Sequence, residues 1–153
     1  MWQQLFGLTN AVALVAWALL LFGPRARLLP LVRYAGVGLL CAMYATLLVM
    51  LTAGWVDPVR EAGAPANLTD YSVRGLRALF RSDGGIVVGW THYLALDLFA
   101  GAWIAEDADR RGFGRVAQAP VLLLTFVAGP AGLLLHYLVA LSRRGKVTAR
   151  PPR

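Results

Sequence analysis

The sequence has few of the residues from which soluble catalytic and metal sites are usually built. It contains one cysteine, Cys41, and two histidines, and only 15% of its 153 residues are charged. A single cysteine cannot form an intramolecular disulfide, and no cysteine-rich zinc spacing, glycine-rich phosphate loop or G-x-S-x-G motif is present. Disulfide scaffolds, zinc-finger proteins, P-loop enzymes and α/β-hydrolases are therefore excluded.

Long apolar runs account for most of the chain. Hydrophobic residues make up 58% of it, and the mean hydropathy is +0.59. The runs at 1–24, 34–56, 84–106 (interrupted by Asp97) and 116–142 each exceed the ~20 residues needed to cross a bilayer. The sequence thus predicts an all-α protein, a bundle of four transmembrane helices at about 4–22, 31–54, 86–105 and 120–141.

Domain organisation and cellular location follow from the same pattern. We expect one integral membrane domain over 1–142 and a basic tail over 143–153. The net charge of +7 lies mostly beside the apolar runs, so membrane lipids are the expected partner and nucleic acid is not.

No Lys or Arg precedes the first run, which argues against a cleaved signal peptide. Length and composition, with no evident plastid transit peptide, favour the inner membrane of a bacterium.

Four spans would place both termini and the middle connection on one side of the membrane, which we call side A. Side A would then carry nine Lys/Arg residues against six on the opposite side, side B, which predicts cytoplasmic termini. The first helix indicates the reverse orientation, because all its flanking arginines follow it.

The middle connection contains a predicted short helix over 70–81, with Asn67, Thr69 or Asp70 as its N-cap. Arg74, Arg77 and Arg81 form one stripe and apolar residues form the next. We expect an amphipathic helix in the interface; a solvated loop helix is the alternative.

Three ionisable residues lie inside the apolar runs, where they are costly and usually retained for a purpose. At 1.5 Å per residue, His92 and His136 lie roughly 8–9 Å below side A, as does Asn10. The three are predicted to converge. Asp97 lies roughly 7–8 Å deeper and is turned by about 140° from His92, so we expect Tyr44 as its partner.

These residues also have simpler interpretations. His136 would hydrogen-bond a carbonyl freed near Pro130, and Glu106 and Asp107 would form a helix end with Arg110 and Arg111 as partners. A site of two histidines and one carboxylate could bind a metal ion. The angular offset of Asp97 argues against that site, so no cofactor is expected.

Several short motifs together resemble the abscisic-acid-deficient-four-like family of membrane proteins, named for a plant plastid protein required for neoxanthin formation. The motif W-x-H-x-x-x-x-D-L-F begins at Trp90. Leu8-Thr9-Asn10 precedes it, as does Arg77-Ala-Leu-Phe80. Asp107 and Gly129-Pro130-x-Gly132-x-x-x-His136 follow it. The resemblance covers about residues 5–142.

The resemblance implies a four-helix membrane protein and, for the plant member, conversion of violaxanthin to neoxanthin by epoxide opening. Such chemistry needs an acid and a base. We assign Asp97 as the acid and His92 or His136 as the base. The predicted pocket is completed by four further side chains: Asn10, Tyr44, Trp90 and Tyr93. For this chain another carotenoid or isoprenoid is the expected substrate, handled by an isomerase-type enzyme.

Two other functions fit the same residues. One is a non-enzymatic subunit that binds a carotenoid or lipid and assists other membrane enzymes of the pathway, alone or as a homo-oligomer. The other is a small proton-coupled transporter, since His and Asp chains also mark proton paths. No inverted repeat of broken helices supports the transporter.

Overall fold

The computed structural model describes residues 1–56 and 70–147, and no strand occurs in that part of the chain. The prediction of an all-α protein is confirmed. The described residues form six helices: α1 (Trp2–Phe22), α2 (Arg25–Thr52), α3 (Val73–Leu79), α4 (Asp83–Arg110), α5 (Arg115–Val127) and α6 (Gly129–Val147).

Helix α4 is the central element, and α1, α2, α5 and α6 all pack against it. Helices α1, α2 and α4 are long and apolar enough to cross a membrane. In the core, the Trp17 ring of α1 lies directly against Gly101 of α4, where an added Cβ would clash with it. Pro30 interrupts the hydrogen-bond ladder of α2, and a π-helical turn over Val32–Val37 follows it.

The fourth predicted span, 120–141, is wrong as a single helix. Helix α5 ends at Val127, Ala128 has φ −151° and ψ 78°, and α6 begins at Gly129. Pro130 explains the break, because proline lacks the N–H of the helical ladder and its ring clashes with a carbonyl one turn earlier. With 13 residues, α5 rises about 20 Å, which is short of the ~30 Å hydrocarbon core.

Helix α6 turns back along α5. Gly132 of α6 lies so close to Thr125 of α5 that an added Cβ would overlap its backbone. Along α4, Gly129 contacts Asp97 and His136 contacts Asp107, so α6 advances in the same direction as α4. Helices α5 and α6 therefore form an antiparallel hairpin whose tip lies at the level of Asp97.

The hairpin changes the predicted topology. Side A is the end at which α4 begins, because the Trp2 ring at the start of α1 packs against Gly84. Side B is the end at which α4 finishes, and α6 leads there. The described ends of the chain therefore lie at opposite ends of the bundle, and the structure does not support the prediction that both share a side of the membrane. Helix α6 also continues past the predicted domain boundary at 142, through Val147. Residues 148–153 of the predicted tail lie outside the described part.

The predicted helix of the middle connection is present as α3. Its N-cap is Ser72, whose Oγ accepts a hydrogen bond of 3.1 Å from the Gly75 N–H. Asp70 instead accepts a 3.0 Å bond from the Ser72 N–H. Hydrogen bonds from Ser72 hold the pKa of the Asp70 carboxyl below its ordinary value. Asn67 and Thr69 lie outside the described residues. The interfacial position of α3 stays a prediction.

Substituting Gly132 tests the hairpin. Gly132→Ala places a Cβ against the Thr125 backbone, and we expect it to destabilise the protein by about 1–3 kcal/mol. Gly7→Ala is the matched control, because it is also a helical glycine but nothing lies within 4 Å of its added Cβ. Thermal unfolding in mild detergent measures both. Equal melting temperatures for the two variants would contradict the α5–α6 contact.

Candidate functional site

The structure distributes the predicted site residues over three levels along the bundle: near side A, at the tip of the hairpin and near side B. At the first level, near side A, Trp90 of α4 meets α1. The Trp90 Nε1–H donates a 3.1 Å hydrogen bond to Asn10 Oδ1, and the Phe6 ring lies 5.8 Å from the Trp90 ring. Trp90 remains partly exposed at the surface of the bundle.

His92 lies on a different face of α4. Its exposed imidazole contacts the Tyr44 ring of α2 with the ring centroids 5.2 Å apart. Tyr44 therefore contacts His92, whereas the sequence predicted Asp97. Tyr93 is exposed as well. The predicted convergence of Asn10, His92 and His136 is wrong, because equal depth along a helix does not fix the direction around it, and because the hairpin carries His136 toward side B.

Asp97 lies at the second level, at the tip of the hairpin. It is half-buried, and its carboxylate lies directly against Gly129, next to the backbone N–H of that residue. This N–H stands at the start of α6, where donors lack intrahelical partners. Pro130 has no N–H, and the amides of Ala131 and Gly132 already reach the Ala128 carbonyl at 3.0 and 3.1 Å. Asp97, a residue of α4, thus lies at the N-terminus of α6, the position from which a carboxylate caps a helix and complements the positive end of its dipole.

His136 lies at the third level, near side B, and is 2% exposed. Its Nε2 lies 2.8 Å from Oδ2 of Asp107 on α4. The same oxygen accepts a 2.5 Å hydrogen bond from Nε of Arg111. The Trp103 ring meets the imidazole edge to face at 5.5 Å. The simpler interpretation, a bond from His136 to a carbonyl near Pro130, is wrong, since its partner is a carboxylate.

A second polar network lies at the same end of the bundle, and sequence reasoning missed its main member. Arg25, only 6% exposed, donates from Nη1 to Asp109 Oδ1 at 3.0 Å and also to Gln118 Oε1. Gln118 in turn donates to Asp109 Oδ1 at 2.8 Å. These bonds tie the α1–α2 connection to the α4–α5 connection. The sequence did contain a signal for this network. Arginines follow the first predicted helix and acidic residues end the third, and both groups belong to side B.

The predicted pairing at the end of α4 is confirmed. Arg110 donates to Glu106 at 2.7 Å and Arg111 to Asp107 at 2.5 Å, each one helical turn apart. Glu106 also pairs with Arg33 of α2. Asp107 is more than a solvated helix end, because it reaches the buried His136.

The structure does not assemble the carboxylate–histidine triad that was considered for a metal ion. Asp97 and Asp107, the α4 residues at the two ends of the hairpin contact, are ten residues or about 15 Å of helix rise apart. His136 lies beside Asp107 and His92 faces α2. Within residues 1–56 and 70–147, no group of three or more potential ligands is close enough to hold a metal ion.

Fold and site together define a class: a helical membrane protein with a buried histidine–carboxylate pair near one end of the bundle. The chain matches the family described as ABA DEFICIENT 4-like over residues 4–136, and it belongs to that family. The apolar helices and this membership fit a membrane protein with a carotenoid-related function. No curated protein matches the chain, and no solved structure matches it either.

Proposed function

We propose that this protein acts on a carotenoid or related isoprenoid lipid and isomerises it by proton transfer through His136. One observation carries the proposal: the imidazole of His136 is almost fully buried, yet it is hydrogen-bonded to a carboxylate near the end of a membrane-spanning helix. A buried ionisable group is costly unless it is paired, and inside a membrane protein it is by default a candidate functional site.

The same geometry argues against the acid–base pairs predicted from sequence. Asp97 lies at the first residue of α6, and His136 lies seven residues further, roughly 10 Å along the axis. An acid and a base that serve one end group of a lipid need to reach neighbouring atoms. His92 is further removed, on the face of α4 that contacts α2.

A single imidazole is sufficient for an epoxide isomerisation. It removes a proton from carbon, the electrons of that C–H bond form a new double bond, and the epoxide C–O bond breaks toward oxygen. The proton then passes from the imidazole to the alkoxide, so substrate and product have the same formula and no oxidant is needed. Positioned acid–base groups of this kind contribute about 10²–10⁴-fold to a rate.

The lipid-binding subunit is a second candidate, and the surface near side A favours it. Four of the predicted substrate-binding or catalytic side chains are on the outside of the bundle or near it: Tyr44, Trp90, His92 and Tyr93. Rings with polar tips suit a lipid hydroxyl near the interface. In this case the protein would hold the pigment. Other membrane enzymes of the pathway, or a second copy of the chain, would assist the conversion of that pigment.

Pigment analysis tests the proposal. The chain is expressed in a carotenoid-producing bacterial host, and pigments are separated by chromatography and mass spectrometry. We expect a new pigment of unchanged mass with the wild-type protein and a loss of about 100-fold or more in His136→Gln. His92→Gln, the matched histidine control, should retain conversion. Membrane protein amount and melting temperature are measured for each variant.

Two results would count against this function. Conversion that survives in His136→Gln at wild-type protein levels would exclude His136 as the proton-transfer group. Purified wild-type protein that retains carotenoid but never changes the pigment profile would support the binding subunit instead.

A further inference from the structure

We infer that Asp107 is a positioning residue that holds the proton of His136 on Nε2 and leaves Nδ1 as the nitrogen that meets the substrate. The catalytic meaning of this inference rests on the proposed function. The arrangement of the proton itself does not, and it can be measured independently.

The contacts of Asp107 determine which group donates. Its Oδ2 accepts from the Arg111 guanidinium at 2.5 Å and lies 2.8 Å from His136 Nε2. A carboxylate oxygen beside a guanidinium is an acceptor, so Nε2 must carry the hydrogen that it shares with Asp107. In a neutral imidazole one nitrogen is the donor and the other is the acceptor. The lone pair is therefore on Nδ1.

Nδ1 is the ring nitrogen that Asp107 does not bind. Within the part of the chain whose side chains are described, Asp107 is the hydrogen-bond partner of His136, and Nδ1 has none. Trp103 packs edge to face on the ring at 5.5 Å and Tyr137 lies at 6.2 Å. These aromatic contacts hold the plane of the imidazole, so a lipid end group would meet Nδ1 in a fixed direction.

Arg111 and the hairpin hold Asp107 in place. The side chains of Asp107 and Arg111 are 19% and 31% exposed, so their ion pair is only partly screened by solvent. Asp107 belongs to α4 and His136 to α6, and they meet because α6 runs parallel to α4 after the break at Ala128. Orientation of the base is thus a direct product of the helix reversal.

A purely structural tether between α4 and α6 is the competing interpretation. The variant Asp107→Asn separates the two, because an asparagine can still hydrogen-bond His136. Its amide oxygen accepts from Nε2–H, whereas its amide nitrogen donates to an unprotonated Nε2. The tether would therefore persist while the preference for one tautomer is lost. Asp107→Glu keeps an acceptor-only partner and should restore the preference in part.

Nitrogen-15 spectroscopy of histidine-labelled protein in detergent at pH 8 measures the tautomer directly. The chain has only two histidines, and His92→Gln assigns the remaining signal to His136. We expect Nε2–H to exceed Nδ1–H by more than about tenfold in the wild type, since hydrogen bonds to charged groups are the stronger ones. In Asp107→Asn the ratio should fall by at least about tenfold, and conversion should fall by about 100-fold.

Asp109→Asn is the matched control, because it is the same substitution at the same end of α4 but its carboxylate pairs with Arg25. The His136 tautomer should not change in it. A wild-type ring with Nδ1 protonated, or an unchanged ratio in Asp107→Asn, would overturn the inference. If the tautomer behaves as expected while the wild-type protein converts no carotenoid, the arrangement of the proton on Nε2 stands, and the proposed function fails together with the catalytic meaning of that arrangement.

Discussion

A reporter fused to the C-terminus is expected in the cytoplasm, and one fused to the N-terminus is expected on the opposite side of the membrane. Helices α1, α2 and α4 are long and apolar enough to cross the membrane, and three such crossings followed by the hairpin would bring the N-terminal end of α1 to side A and the C-terminal end of α6 to side B. A four-span bundle would place both reporters on one side. The two topologies thus give opposite results for one of the fusions.

The distribution of basic residues orients this three-span topology. The described Lys/Arg positions at side A are Arg74, Arg77 and Arg81, whereas nine lie at side B: Arg25, Arg27, Arg33, Arg110, Arg111, Arg115, Arg143, Arg144 and Lys146. Lys and Arg concentrate on the cytoplasmic side. The arginines that follow the first helix then agree with the rest of the chain, and the conflict seen in the sequence disappears.

Two fused reporters locate the N-terminus and the C-terminus. Alkaline phosphatase is active only outside the cytoplasm, whereas green fluorescent protein fluoresces inside it. Labelling with a membrane-impermeant maleimide provides a check without fusions, using Trp2→Cys and Ser142→Cys in a Cys41→Ser background. Reaction of the two cysteines from the same side would contradict the hairpin. Reaction of Ser142→Cys from outside, with Trp2→Cys inside, would contradict only the orientation.

Asp97→Asn and Asp97→Leu are expected to differ strongly although both remove the same charge. Asparagine is as good an N-cap as aspartate, so Asp97→Asn should keep the hairpin, the melting temperature and pigment conversion. Leucine cannot accept a hydrogen bond from the Gly129 N–H, and leaving such a donor unsatisfied costs about 1–3 kcal/mol. We expect Asp97→Leu to lower the melting temperature and the amount of folded protein.

Gly129→Ala provides a second probe of this contact, because its Cβ would overlap the Asp97 carboxylate. If the two residues act as one contact, the double variant Asp97→Leu with Gly129→Ala should be less destabilised than the sum of the single variants. Loss of conversion in Asp97→Asn at an unchanged melting temperature would instead give Asp97 a chemical role.

Much of the fold could be predicted from sequence because it depends on local properties. The apolar runs predicted α1, α2 and α4, and each predicted helix end lies within six residues of the observed one. The charged residues at the end of the third span predicted that Arg110 and Arg111 would pair with Glu106 and Asp107, and the structure has these pairs one helical turn apart. The ordered motifs indicated the family, which the match over residues 4–136 confirms.

The candidate site could be predicted only in part. Rise per residue gives depth within a straight helix, yet it does not determine which faces of two helices meet. His92 and Trp90 are two residues apart on α4, but one contacts α2 and the other contacts α1. Buried Arg25 was missed for a related reason, since its partners Asp109 and Gln118 come from distant parts of the chain.

By itself, therefore, the sequence determined that the protein is helical, apolar enough for a membrane and a member of its family. It did not determine the path of the last apolar run, because hydropathy is the same for a helix that continues and for one that turns back. That choice depends on tertiary contacts: Gly132 against Thr125, and Asp97 at the N–H of Gly129. The reversal then brings His136 to Asp107, so only the tertiary structure decided which carboxylate and which histidine form the candidate site.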